Sequence, residues 1–296
     1  MPNLIDTHQP GGGAHRAPSA SVPTPTADRI APIEIAPDTF VIHDSYFPPG
    51  APAAAHMNAM LIRGAEPVVV DTGTPLNRAG YLDDLFSLVD PDDVRWVFIS
   101  HDDVDHYGNL HEVMAACPNA TLVANWFLCD RIAVDRLDVA PFRWRWLNDG
   151  ETLDVGDRTL AAIRPPLYDS PTTRGLFDPT TGVYWAADCY ASPVAAPTAF
   201  VDELDPDAWA AGFMMFQTWN SPWSSMLDPA RFAEACASIE RLGVSTIATC
   251  HSPTIGASQV DRAFELLRAV PTAEVLPQPD QFALDEIVAA IEQLAR

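Results

Sequence analysis

Three short apolar runs in this chain each deliver a side chain able to hold a metal ion, and nothing else in the sequence constrains the fold as much. RWVFIS at 95–100 leads directly into His101-Asp102-Asp103-Val104-Asp105-His106. VYWAA at 183–187 leads into Asp188, and VSTIATC at 244–250 leads into His251. Strand ends hold side chains rigidly at the rim of a buried sheet, where a site can form. Alternate residues of extended backbone point the same way, so His101 and Asp103 can share one ion. Asp105 and His106 follow where the chain turns toward a helix and can face a second ion. Asp188, with two oxygens, can bridge the two.

Charge strengthens this expectation. The formal net charge is -23, and all 17 basic residues are arginine, with no lysine. Schiff-base and P-loop lysine chemistry are thereby excluded. No basic stripe is visible, so nucleic acid is not an expected partner. Carboxylates gathered in one pocket repel each other and take up protons unless a cation compensates them. With neither lysine nor an adjacent arginine in these segments, the natural cation is a metal. The competing reading is that Asp103 and Asp105 only solvate a loop and cap the helix starting near Tyr107. That reading holds for either residue alone and weakens for the set.

The remaining pattern describes a layered domain. Strands are expected at 38–44, 57–63, 67–71, 95–100, 120–125, 159–163, 183–188 and 244–250. Helices are expected at 78–89, 229–242, 258–269 and 283–295. The second has Asp228 as N-cap, Pro229 in its first turn and Gly243 as its stop. Strands mixed with segregated helices give an α/β (α+β) class. Residues 1–28, rich in Pro, Gly, Ser and Ala, are expected to form a disordered tail, not a signal peptide. Residues 29–272 are expected to form the domain, and 273–296 a linker and C-terminal helix. Five scattered cysteines without a C-x-x-C pair fit a reducing, cytoplasmic setting, and no apolar run is long enough for a membrane span.

These residues resemble the metallo-β-lactamase superfamily in order and spacing: DTG at 71–73, HDDVDH at 101–106, Asp188 after an apolar strand, and CHSP at 250–253. The resemblance covers roughly residues 33–270 and implies an αββα sandwich with metal at its strand ends. Hydrolases of the superfamily usually carry H-x-H-x-D-H, whereas this chain has Asp103 at the second ligand position. That is closer to the flavodiiron proteins and their stand-alone oxygen-binding diiron relatives, which carry H-x-E-x-D-H. The segments PPLYDSPTTRGLFDPTTGVYWAADCYAS and FVDELDPDAWAAGFMMF look like flavodiiron sequence too. No flavodoxin-like stretch follows, so the stand-alone module is the expected match.

The resemblance implies two metal ions, iron first, with zinc or manganese as alternatives. Its ligands would be His101, Asp103, Asp105, His106, Asp188 and His251, and Asp71 would hydrogen-bond behind them and orient them. One position departs from the family: Tyr168 stands where a histidine ligand is expected, which makes it a candidate phenolate ligand of the first site. The expected activity is binding or reduction of O2 or NO at a non-haem iron centre. The expected partners are a diatomic gas or other small-molecule substrate and an external electron donor. No flavin is expected in this chain, since no GxGxxG segment is present. Two alternatives stay open: a metallohydrolase acting on a lactone, thioester or phosphoester, and a degenerate single-metal sensor.

Among the other residues, His111 is read as a helix-face histidine, and His43 and His56 as structural or rim residues. Cys189 and Cys250 are read as small buried hydrophobes turned away from the metal. Phe142, Trp144, Trp146, Trp219 and Trp223 are read as loop aromatics, lining either a pocket mouth or a homodimer face.

Overall fold

The computed structural model describes residues 29–46, 53–134 and 139–294. The expected tail at 1–28 lies outside them. The first half of the chain runs through β1 (Ile33–Ala36), β2 (Thr39–Ile42), a small hairpin β3 (Ser45–Tyr46) and β4 (Ala55–His56), then β5 (Ala59–Ile62) and β6 (Val68–Val70). It continues through α1 (Arg78–Leu88), β7 (Trp96–Phe98), α2 (Val104–Tyr107), α3 (Leu110–Ala116), β8 (Thr121–Ala124), α4 (Trp126–Val134) and β9 (Trp144–Trp146). The second half supplies β10 (Thr152–Asp154), β11 (Thr159–Ile163), β12 (Gly175–Asp178), β13 (Val183–Trp185) and α5 (Pro206–Asn220). It ends with α6 (Pro229–Glu240), β14 (Thr246–Ala248), α7 (Val260–Ala269) and α8 (Gln281–Leu294).

One sheet has the order β1-β2-β5-β6-β7-β8-β9 and the other β10-β11-β12-β13-β14. Strands β6 to β9 are parallel, as are β13 and β14. Parallel neighbours require crossovers, and α1, α3 and α4 supply them between β6, β7, β8 and β9.

The two-residue period of a strand explains why these runs are apolar without a break. In β6, Val69 packs outward under the helices with Tyr81 and Leu85, while Val68 and Val70 face inward. In β13, Tyr184 packs outward with Trp209 and Phe213 of α5, while Val183 and Trp185 face inward against the first sheet. Each strand is thus buried on both faces, giving a layer between the sheets and one under each helical face, the αββα sandwich. Each fully buried Val, Leu or Phe in these layers contributes roughly 1.5–3 kcal/mol.

The expected helix at 229–242 forms as α6, with the Asp228 side chain accepting from the backbone N–H groups of Ala230 and Arg231. Helix α5 was not expected. Its apolar residues surround the whole helix and leave no 3.6-residue stripe, although Asp205 caps it and Pro206 opens it. Trp144 and Trp146, expected in a loop, form the edge strand β9, while Trp219 lies in α5. Helix α8 carries exposed Phe282, Leu284 and Val288. We propose residues 29–272 as the folding unit, with the remainder an appendage. Among the described residues, no helix is long and apolar enough to cross a membrane.

Candidate metal centre

The inward ends of β7, β13 and β14 meet at one edge of the sandwich and bring their polar followers together. His101 Nε2 lies 3.7 Å from Asp103 Oδ2 and 3.8 Å from Asp188 Oδ2. On the other side, His106 Nε2 lies 3.7 Å from Asp105 Oδ2, and His251 Nε2 lies 3.1 Å from the same oxygen. Asp188 Oδ1 is 2.9 Å from His106 Nε2 and 3.3 Å from His251 Nε2. The two oxygens of one carboxylate therefore face two different histidine groups. His101 Nε2, His106 Nε2 and Asp188 Oδ1 are all buried without a partner of hydrogen-bond geometry. Such orphaned polar atoms are costly in a protein interior, and a cation at each group would satisfy them. The donor set of imidazole nitrogen and carboxylate oxygen fits iron, manganese or zinc.

Local structure explains why these side chains are free. Asp103 stands at the N-cap of α2 but makes no capping hydrogen bond, so its carboxylate is not spent on the helix. The competing reading of Asp103 as a simple cap therefore does not hold. Ala187, just before Asp188, has φ of 53°, a left-handed conformation that costs a non-glycine residue on the order of 1–3 kcal/mol. The Ala187 carbonyl accepts from Cys250 N at 3.0 Å and from the Thr249 hydroxyl, which fixes that turn. Gly108 closes α2 where any Cβ would sit 2.3 Å from the Val104 carbonyl and 2.4 Å from Pro75. This contact lets the DTG loop press on α2, where Thr72 N donates to the His106 carbonyl at 2.6 Å.

Behind the ligands, hydrogen bonds assign each imidazole's tautomer. Asp71 Oδ2 accepts from His106 Nδ1 at 2.8 Å, from the Ser100 hydroxyl at 2.7 Å and from Trp185 Nε1 at 3.0 Å, while Oδ1 accepts from Ser100 N at 2.7 Å. With its proton given to Asp71, the Ser100 hydroxyl accepts from His101 Nδ1 at 3.1 Å. His251 Nδ1 donates to the His56 carbonyl at 2.7 Å. All three rings thus carry hydrogen on Nδ1 and turn Nε2 toward the carboxylates, as metal-ligating histidines do.

Without metal the same nitrogens hold protons. Burial disfavours a charged His106 or His251, but the Cys250 sulfur and the Asp188 carboxylate outweigh it and hold both well above the usual imidazole range. Burial likewise opposes ionisation of Asp105 and Asp188, and the histidine charges outweigh it, so both carboxyls lie below the usual range. Raised imidazoles stabilise the fold below pH 6.5 and lose that effect as pH rises. Depressed carboxylates contribute above pH 3.8 and lose it as pH falls. Metal-free pairing is thus strongest between 3.8 and 6.5. A metal must displace the imidazole protons, so its affinity is expected to rise from about pH 5 to about pH 8, with roughly two protons released. Chelator competition across that range, with proton release followed in weak buffer, checks this. A flat affinity would exclude His106 and His251 as ligands.

Tyr168, the candidate ligand of the first position, has its ring 5.3 Å from that of Trp223 and 4.9 Å from the Arg164 guanidinium. The next residue, Asp169, places Oδ2 3.9 Å from His101 Nε2. Cys250 is buried, as expected, but its sulfur lies within 4.8 Å of ligand atoms of Asp105, His106 and His251. His111 is exposed on α3 and stands apart from the site. His43 and His56 are buried, and burial lowers their pKa to about 4 and about 3, keeping both neutral.

Sequence reasoning missed several supporting groups. Asn220 Nδ2 of α5 donates to Asp188 Oδ2 at 3.3 Å, and Gln217 of the same helix donates to the Asp188 carbonyl. The only signal for them was polar residues at the end of an otherwise apolar helix. Ser100, adjoining His101, and the backbone of His56 gave none.

The sequence model of the metallo-beta-lactamase superfamily matches residues 56–167. Diflavin flavoprotein A 1 of Synechocystis is 26% identical over 205 residues, covering 67% of this chain and 34% of that protein. Anaerobic nitric oxide reductase flavorubredoxin of Salmonella arizonae is 25% identical over 203 residues, covering 66% and 40%. The chain thus spans well under half the length of these curated relatives. Rubredoxin oxygen:oxidoreductase of Desulfovibrio gigas superposes with a TM-score of 0.66 at 18% identity, covering 80% of this chain and 60% of that one. The flavodiiron protein of Giardia intestinalis gives 0.70 at 18% identity, covering 82% and 60%. Residues 56–167 thus resemble the metallo-beta-lactamase superfamily, and the fold of the chain is similar to that of these flavodiiron structures.

Proposed function

We propose that this chain holds a dinuclear non-haem iron centre and binds or reduces O2 or NO there. The observation that carries the reading is the division of Asp188, one oxygen toward His101 and the other toward His106 and His251. Two irons held by these residues would offer a place for a diatomic ligand and would pass on electrons received from a donor. The chain's own residues hold His101, Asp103, Asp188, Asp105, His106 and His251 in register, while Asp71 fixes the orientation of His106. The names of the relatives, a nitric oxide reductase and an oxygen oxidoreductase, support this reading over the metallohydrolase alternative.

Electrons come, in this proposal, from a separate donor. The relatives' names also include flavin, in proteins longer than the matched segment. A cytoplasmic setting is part of the proposal and rests on five buried, unpaired cysteines. So is a homodimer through exposed Phe142 and Trp146 at the edge strand β9.

Elemental analysis of protein purified without chelator, together with its absorption spectrum, tests the reading. Iron near two per chain and a visible band that changes with O2 or NO are expected. Zinc with ester turnover would replace this reading with the hydrolase, and a single metal would leave the sensor.

A further inference from the structure

The reading above leaves the first metal position with only His101, Asp103 and the shared Asp188. Resting on that reading, we infer that Asp169 is the missing ligand. The first position is then held by one imidazole and three carboxylates, and the second by two of each, so that the first takes a harder cation and fills second.

Geometry carries the assignment. His101 Nε2 is buried and unpartnered, and three carboxylate oxygens surround it at 3.7, 3.9 and 3.8 Å, from Asp103, Asp169 and Asp188. The Asp169 side chain is only 15% exposed, unusual for a loop aspartate without a cation. Its placement is built. The Thr173 hydroxyl donates to Asp169 Oδ1 at 3.2 Å, leaving Oδ2 turned toward His101. Asp102 Oδ1 accepts from the hydroxyls of Thr172 at 2.6 Å and Ser170 at 3.3 Å, and its other oxygen pairs with Arg131 at 2.6 Å. The loop bearing Asp169 is therefore fastened to the residue next to His101. Tyr168 has Trp223 and Arg164 as its ring neighbours.

Coordination chemistry gives the consequence. Carboxylate and water suit manganese and other hard ions, whereas imidazole suits iron and zinc. Exchanging an imidazole for a carboxylate shifts the first position toward Mn2+. That position is also wetter, since the Asp103 side chain is 55% exposed and that of Asp105 21%. The drier second position, richer in imidazole, binds more tightly. Four carboxylates also balance the charge of two divalent ions, so full loading leaves no net charge in the pocket.

The test is titration of metal-free chain with Mn2+, free Mn2+ being read by electron paramagnetic resonance, followed by competition with Zn2+. Wild-type chain is expected to bind two Mn2+ in two affinity classes. Asp169→Asn should weaken the looser class at least roughly tenfold, and Tyr168→Phe should leave both unchanged. Asp169→His should keep two metals and turn the looser position toward Zn2+, which decides the matter even if the asparagine variant folds poorly. Loss of the looser class in Tyr168→Phe, or unchanged metal preference in Asp169→His, overturns the inference while two-metal binding stands. A wild-type chain that takes up only one Mn2+ overturns the dinuclear reading itself, and this inference with it.

Discussion

Asp188→Asn is expected to strip both metals, leaving iron below about one per chain and affinity lower by roughly 100-fold or more. Loss of a group that merely supports a ligand already costs about 10–100-fold, and Asp188 touches both histidine groups directly. The amide keeps the shape of the carboxylate but presents one donor where two acceptors are needed, so the loss is chemical and not steric. Metal analysis by mass spectrometry and the absorption spectrum measure it. Near-normal metal content in the variant would remove the bridge from the proposal. The fold should tolerate the change, because the Cys250 N–H holds the adjacent Ala187 carbonyl and Gln217 reaches the Asp188 carbonyl.

The second large effect concerns stability. Asp71→Ala is expected to cost roughly 3–5 kcal/mol, the usual loss when one member of a buried charged network is removed. The wild-type carboxylate is fully buried and accepts four hydrogen bonds, from the backbone and hydroxyl of Ser100, from His106 and from Trp185. Alanine would strand all four donors in a space too apolar to hydrate them readily. Urea unfolding of metal-free wild type and variant, compared at one pH, isolates this effect from metal binding. A loss below about 1 kcal/mol would mean that the four donors find other partners.

Much of this was legible in the sequence because strand ends and metal chemistry share one signal. An apolar run that stops at His101, Asp188 or His251 states both where a strand ends and what it presents. The α/β class followed from such runs, and the αββα sandwich from the family resemblance that the DTG, HDDVDH and CHSP segments carry. What stayed hidden was local backbone geometry. Tyr168 and Asp169 are neighbours in a turn, and the direction each takes depends on threonine and serine hydroxyls that bind Asp102. Spacing carries no record of that choice. Helix α5 was hidden for another reason: it is apolar all round, so it lacked the stripe that marks α6 and α7. Strand β9 is three residues long and, at the sheet edge, leaves Trp146 exposed, so it showed no buried alternation.

The indole of Trp185 reaches Asp71 across the layer between the sheets, and so joins residues 114 positions apart. The same division runs through the whole centre: His101, Asp103, Asp105 and His106 come from the first sheet's half, and Asp169, Asp188 and His251 from the second. A fragment ending before β10 would keep both groups of histidine and aspartate that follow β7 yet have no carboxylate to join them. A fragment beginning there would keep the joining carboxylate with a single imidazole. Complementary fragments of this chain would therefore regain metal only on reassociation, which makes bound metal a direct reporter of whether the two halves are docked.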